Sequence, residues 1–393
     1  MSGNHADRVS GLEADLARRS EAGLLRRQQA VSSRSGVVIR RNNEGLVNFC
    51  SNDYLGLASH PSLIRAWSQA AQRYGIGSGA SPLICGRYDI HDELERALAR
   101  FTGRERALLF TSGYQANLGA ITALAHGRRD RIIMDRLCHA SLIDGARQSR
   151  AQMRRFPHGD SNGLERMLKG NNSDFALVVS ESVFSMDGDM APLKTYARLC
   201  NQYGALLFVD DAHGFGVLGK DGRGGLEHSG LTAKEAPLMM ATFGKALGVS
   251  GAFVAGDNVL VEALIQYARP YIYSTAMPPA VAATVLAALE LLREEAWRRR
   301  HLQALIQRYR AGAGRRGLPV MDSSTPIQPL LIGSSGRALE VSEQLQQRGY
   351  FVAAIRPPTV PQNSARLRIT LTAEHSEEQV DGLLSALEEA VHL

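Results

Sequence analysis

The stretch Leu206-Leu-Phe-Val-Asp210-Asp-Ala-His213-Gly214 decides the fold. Its apolar run is too short for a helix and reads as a strand buried on both faces. An acid, a histidine and a glycine stand where that strand leaves the sheet. Comparable runs lie on either side of it in the chain: Ala107–Phe110, Arg131–Met134, Phe175–Val179, Leu238–Thr242 and Ala252–Ala255. Helical spacing is present upstream, with Leu63, Ile64, Trp67, Ala71 and Tyr74 on one face and Ile90, Leu94, Leu98 and Phe101 on another. Short strands alternating with helices predict an α/β domain around a mainly parallel sheet.

In open sheets of this kind ligands bind beyond the carboxyl ends of the strands. Those ends are rich here. Ala107–Phe110 runs into Thr111-Ser-Gly-Tyr114 and then a helix to Leu124; Ile132–Met134 leads to Asp135 and His139; Val178-Val179 leads into Glu181 to Asp189; Leu238–Ala241 ends in Thr242-Phe-Gly-Lys245. Taken singly, each residue has an ordinary use. An Asp after a strand caps a turn, a lysine is solvated, a histidine fills a core, and Arg368 is an edge cation. Their convergence on one rim points to a site. A lysine amine forms a Schiff base with an aldehyde. An acid keeps a pyridine nitrogen protonated so that the ring absorbs carbanion charge. A helix start with Ser and Gly amides holds a phosphate. Together they describe a pyridoxal 5'-phosphate (PLP) site.

Four segments carry a family resemblance: Ser51-Asn-Asp-Tyr-Leu-Gly56, Ser185-Met-Asp-Gly-Asp189, Asp210-Asp-Ala-His-Gly214 and Thr242-Phe-Gly-Lys-Ala-Leu-Gly248. They resemble the α-oxoamine synthases, PLP enzymes of the aspartate-aminotransferase-like fold (type I) that condense an amino acid with an acyl thioester. The resemblance covers nearly the whole chain. It implies a large domain with a seven-stranded, mainly parallel sheet and a small α+β C-terminal domain. Arg356-Pro-Pro-Thr-Val-Pro361 and Arg366-Leu-Arg-Ile-Thr-Leu-Thr372 resemble the branch of biotin biosynthesis, which takes L-alanine and pimeloyl-CoA or a pimeloyl carrier protein. Ser81-Pro-Leu-Ile-Cys-Gly86 is closer to the glycine C-acetyltransferase branch.

The resemblance also implies roles. Lys245 carries the cofactor and moves the Cα proton. Asp210 pairs with the ring nitrogen; His213 and Ser185 bond the phenolic oxygen; His139 stacks on the ring and polarises the acyl carbonyl. Gly113, Tyr114 and Thr242 hold the cofactor, joined by Ser274 or Thr275 of a neighbouring subunit. Asn52 and Arg368 orient the amino-acid carboxylate, and Arg26 and Thr359 contact the acyl substrate. A homodimer with its active site at the interface is implied.

The rest of the sequence narrows the field. The chain has 393 residues, 44% hydrophobic and 21% charged, with a formal charge of +6. That is globular composition, and no apolar run approaches a membrane span. Met1 to Arg19 lacks an apolar signal core, so a cytoplasmic protein is expected. The arginines form only short clusters (Arg26-Arg27, Arg154-Arg155, Arg298-Arg299-Arg300), which argues against nucleic acid. Cys50, Cys85, Cys138 and Cys200 form no CxxC pair, so no metal site is expected. Gly75-Ile-Gly77-Ser-Gly79-Ala80 matches a dinucleotide fingerprint in letters, yet a helix precedes it where a strand is required. Neither a P-loop nor a GxSxG elbow is present. Three parts are expected: an N-terminal helix and arm (1–50), the PLP-binding domain (51–280), and a spine helix with the small domain (281–393).

Overall fold

A computed structural model describes residues 5–392 apart from 27, 29, 42, 43 and 171. The chain divides into two compact units. The larger is Asn52–Ala304 with Thr372–Glu374; the smaller takes the chain up to Ser51 together with Leu305–Leu371 and the segment from His375 onward. In chain order the strands are β1 (Val38–Arg41), β2 (Glu44–Asn48), β3 (Arg106–Phe110), β4 (Arg131–Asp135), β5 (Gln152–Phe156), β6 (Ala176–Glu181), β7 (Leu206–Asp210), β8 (Leu238–Thr242), β9 (Ala252–Gly256), β10 (Ile327–Gly333), β11 (Tyr350–Phe351), β12 (Ala353–Ile355) and β13 (Ala365–Thr370). The first five helices are α1 (His5–Glu21), α2 (Pro61–Tyr74), α3 (Asp89–Thr102), α4 (Gly113–Leu124) and α5 (Ala140–Gln148).

The larger unit is built on a seven-stranded sheet in the order β3-β9-β8-β7-β6-β4-β5. Strands β5, β4, β6, β7 and β8 pair in parallel, while β9 runs against both of its neighbours. Every residue of β6 is buried, as are Leu207, Phe208 and Val209 of β7, which is why these strands read as unbroken apolar runs. Burying each such side chain contributes roughly 1.5–3 kcal/mol. Helix α4 lies close to the sheet because its inward residues are small: Ala116, Ala120 and Ala123 are all buried. The register sets Glu181 opposite Asp210 and Asp210 opposite Met240, so the chemically rich ends of β6, β7 and β8 finish level.

Three elements differ from the sequence reading. Strand β5 carries Arg154 and Arg155, which look like a basic cluster; as an edge strand it exposes four of its five positions wholly or partly and so shows no apolar run. The spine helix expected at the start of 281–393 is two helices, Pro279–Glu294 and Trp297–Arg315. Glu295 leaves helical geometry at the break, and its carboxylate takes Arg298 Nε at 2.5 Å and sits 3.5 Å from His60 Nε2. No Pro or Gly marks that break. The apolar run Phe351–Ile355 has the length of one strand but divides at Val352 between two three-stranded sheets, β1-β2-β11 and β10-β13-β12. Because β11 pairs in parallel with β2, the N-terminal arm shares a unit with the C-terminal segment. The unit boundaries fall at 51/52 and 304/305, whereas the sequence reading set them at 50/51 and 280/281.

Candidate active site

Strand β7 ends in two buried acids that turn opposite ways. Asp210 Oδ1 accepts from the Ala212 N–H at 2.9 Å, and Oδ2 accepts from Asn117 Nδ2 of α4 at 2.7 Å. Asp211 faces the other side, where the Gly225 N–H reaches its oxygens at 2.9 and 3.1 Å and the Ser182 hydroxyl donates to Oδ1. Burial pushes the Asp211 carboxyl up to about 7.

Two residues further on, His213 is buried and bonded on both ring nitrogens. Nδ1 lies 2.6 Å from the Tyr54 hydroxyl and Nε2 lies 2.8 Å from Lys245 Nζ. Lys245 leaves β8, the strand beside β7, so parallel pairing alone brings amine and acid to one rim. Tyr54 is fully buried and was not anticipated as a functional residue. Its place in the Ser51–Gly56 segment was visible, but nothing local says that a tyrosine there will meet a histidine 159 residues away.

His139 caps α5. Its backbone N–H donates to Glu181 Oε1 at 2.6 Å, and its Nδ1 accepts from the Ser141 N–H at 3.2 Å. The residue is exposed, yet its ring is hemmed in by protein. That crowding lowers its pKa, and Lys245 works in the same direction against Asp210. Burial holds the Glu181 carboxyl well above the usual range, with the charge of Asp210 adding to the rise. Beyond it, His158 bridges Asp135 (3.1 Å) and Asp189 (2.8 Å), and those two hydrogen bonds raise it to about 10. Asp189 closes the turn that carries Ser185: the Phe184 N–H donates to its carbonyl at 3.0 Å. Glu181 stands in the sequence only as the start of a strand-end segment and His158 carries no signal there, since their roles exist only once three strand ends converge.

The start of α4 supplies the anion end. Ser112 accepts from the Gln115 N–H at 3.3 Å, and no acid stands in the first turn. The N–H groups of Gly113 and Tyr114 therefore face outward with the positive end of the helix dipole. Thr242 closes β8, with its hydroxyl donating to Gly251 O at 2.9 Å and accepting from the Gly244 N–H at 3.2 Å. Ser274 and Thr275 line a small cavity of about 30 Å³ together with Thr111 and Gln115. An amine on a buried imidazole, a carboxylate one strand away and an acid-free helix start form a donor set that fits PLP.

The remaining sequence candidates are spread over both units. Asn52 Oδ1 accepts from the Tyr54 hydroxyl at 3.4 Å in the larger one. In the smaller unit, Arg368 is buried on β13 and donates to Thr370 Oγ1 at 3.0 Å. Thr359 is exposed in a turn whose N–H donates to Arg356 O at 3.1 Å. Arg356 in turn donates to Gly23 O, which ties that turn to the segment bearing exposed Arg26. Gly75 caps α2, so the dinucleotide-like glycines follow a helix.

Fold and site together define a PLP-dependent enzyme of the type I fold. The chain belongs to the aminotransferase class I and II family, whose model matches residues 44–387. Within that family it is similar to the 8-amino-7-oxononanoate synthase of Pseudomonas fluorescens, 54% identical over 96% of this chain and 95% of that one. A solved structure of the 8-amino-7-oxononanoate synthase of Francisella tularensis superposes with a TM-score of 0.77 at 30% identity, covering 88% of this chain and 98% of that one. The serine palmitoyltransferase of S. paucimobilis, solved with a bound PLP adduct of myriocin, superposes with a TM-score of 0.92 at 29% identity, covering 99% and 98%.

Proposed function

We propose that the protein condenses L-alanine with a pimeloyl thioester, releasing carbon dioxide and the free thiol, to give 8-amino-7-oxononanoate in biotin biosynthesis. The observation that carries the reading is Lys245 Nζ on His213 at a strand end beside Asp210, in a chain so similar to synthases of that name. PLP, when bound, supplies an electrophilic carbon for an amine and a ring that absorbs carbanion charge.

The protein's own residues supply the rest. Lys245 Nζ takes the proton from the alanine Cα and later returns it. Asp210 keeps a proton on the ring nitrogen, with Asn117 and the Ala212 N–H fixing its carboxylate. His213, oriented by Tyr54, and Ser185 hold the phenolic oxygen, and Gly113, Tyr114 and Thr242 hold the phosphate end. His139 faces the acyl carbonyl. Arg368 and Asn52 bind the amino-acid carboxylate in a charge-assisted contact, while Arg26 and Thr359 favour the long acyl chain. The working unit is a homodimer. No helix among the described residues is long and apolar enough to cross a membrane, and we place the enzyme in the cytoplasm.

Initial rates at saturation test the reading. Alanine with a pimeloyl thioester should outrun glycine with an acetyl thioester, although one methyl is worth only about 1–3 kcal/mol, so glycine should react slowly with the pimeloyl donor. The reverse order would transfer the chain to the glycine C-acetyltransferase reading suggested by Ile84-Cys-Gly86. Borohydride reduction should fix the cofactor to the peptide containing Lys245; labelling at Lys220 or Lys194 would overturn the lysine assignment.

A further inference from the structure

Behind His139 lies a chain of polar side chains whose link to His139 the reaction as described does not use. Asn117, fully buried on α4, sends its Nδ2 both to Asp210 Oδ2 at 2.7 Å and to Ser141 Oγ at 2.9 Å. Ser141, fully buried on α5, lies with its Oγ 2.8 Å from His139 Nδ1. Hydrogen-bond polarity gives this chain one direction. An amide NH₂ only donates, so Ser141 Oγ must accept from Asn117. Its single hydrogen is then free for His139 Nδ1. The Ser141 backbone N–H, also a donor only, points at the same nitrogen from 3.2 Å. A nitrogen that accepts from two donors carries no proton of its own, which leaves the proton of the neutral ring on Nε2.

Neither common ambiguity of such groups reverses the argument. Turning the Asn117 amide over would set its oxygen against Asp210 Oδ2, two acceptors at 2.7 Å. Turning the imidazole over would set a ring carbon against two donors. The arrangement carries a visible cost, since Asn117 Oδ1 is buried without a hydrogen-bond partner. A buried carbonyl left without a hydrogen bond keeps the full cost of its desolvation. Keeping it makes sense where the two N–H bonds of the same amide are needed in place.

We propose that Asn117 and Ser141 are positioning residues that hold His139 in its Nε2–H tautomer, so that the imidazole at the reaction centre is a hydrogen-bond donor and not a base. This rests on the placement of His139 in the proposed function and deepens it. A donor fits a partner that polarises an acyl carbonyl; proton abstraction is left to Lys245. Protonating the ring requires Nδ1 to give up both accepted bonds, in line with the lowered pKa of His139. The ionisable groups around His139 are Glu181 through its N–H, Asp210 and Lys245 across the rim, and Asp144 on α5.

The test is ¹⁵N NMR of histidine side chains in the holoenzyme, with the His139 signals assigned by their loss in His139→Gln. The expected spectrum has an unprotonated Nδ1 and a protonated Nε2 at neutral and mildly alkaline pH. Ser141→Ala and Asn117→Leu should give a tautomer mixture that titrates at higher pH. Their kcat should fall by about 10- to 100-fold with little change in the KM for alanine. A protonated Nδ1 in the unmodified enzyme overturns the inference, whether or not the variants fold. An unchanged tautomer in a folded Ser141→Ala overturns it equally. The Nε2–H form without any condensation activity would support the relay and count against the proposed function alone. Condensation with an Nδ1–H ring would do the reverse.

Discussion

Asp210 and Asp211 are neighbours in sequence, chemically identical and both buried, yet the proposed chemistry uses one and the fold holds the other. Asp210 is held by one backbone N–H and by Asn117, a side chain that leads on to Ser141 and His139. Asp211 is held by Ser182 and by the backbone of Gly225, and its bonds end there. Its surroundings admit nothing else: a Cβ on Gly224 would fall 1.8 Å from Asp211 Oδ2. Each carboxylate takes one backbone N–H and one side-chain donor, so the difference lies in where that donor leads. Asp211, whose donor Ser182 sits among closely packed glycines, is a fastener; Asp210, whose donor Asn117 continues to Ser141 and His139, can transmit a change in charge.

The largest expected effect comes from exchanging the first of the pair. Asp210→Asn keeps an oxygen for the Ala212 N–H but turns its amide NH₂ towards Asn117 Nδ2, so the fold should survive with a modestly lowered melting temperature. Condensation should fall by about 10³-fold, equivalent to ~4 kcal/mol of barrier. Steady-state rates and thermal melts on the same samples separate the two effects. The comparison breaks if Asp210→Asn works normally while Asp211→Asn, still folded, does not.

The rim offers a third acid, Asp135, fully buried and bridged to Asp189 through His158. Its other partners are the backbone N–H groups of Leu137 and Gly159, so it should behave as a fastener too. His158→Gln should destabilise the protein by about 3 kcal/mol, at the low end for breaking a buried ion pair. The folded protein raises His158 to about 10, so its contribution is complete below the unfolded value near 6.5 and is lost as pH climbs through 10. The gap between variant and parent in denaturant melts should therefore be constant in mild acid and close towards pH 10. A gap that widens with pH would refute the assignment.

Asp211→Asn should cost about 2 kcal/mol, because an amide offers one acceptor where two donors converge. Its pH dependence occupies a different window. Folding raises the Asp211 carboxyl to about 7, so the folded state holds the extra proton between the ordinary carboxylate range and 7. The stability this lends is greatest in acid and is lost as pH rises through 7. The cost of the substitution should shrink over the same interval, since the parent loses this stability as pH rises while Asn does not titrate.

The parts of this molecule that sequence made legible share one property: their signal is local. Runs such as Leu206–Val209 announce β7 because both faces are buried, and Asp210, His213 and Lys245 stand out because short strands end in them. Strand β5 escaped because its edge position lets it be polar, and the break at Glu295 escaped because the residues that stabilise it include His60, far away in sequence. The supporting shell was hidden for the same reason. Asn117 sits mid-helix and Ser141 just after a cap, where a polar residue ordinarily faces water; only the packing of α4 against α5 turns them towards one another. Alternation also left open which of two adjacent acids faces the ligand until the family resemblance chose Asp210.

The smallest expected effect is the most exacting for the comparison. Ser182 is buried, and its hydroxyl donates to Asp211 Oδ1. Ser182→Ala removes that donor and leaves the Gly225 N–H to serve the carboxylate alone. The loss should be about 1 kcal/mol, a shift of about 2 °C in melting temperature for a chain of this size. Because the serine bond lowers the Asp211 pKa, its removal should lift that value further and carry the decline in stability to higher pH. Catalysis should not respond, for among the described residues no side chain bonded to the Asp211 carboxylate reaches Lys245 or His139. A kcat reduced tenfold at full occupancy of the cofactor would mean that strain on the Asp211 side reaches Asp210 through the shared strand end. The division between fastener and transmitter would then fail at the one peptide bond separating them.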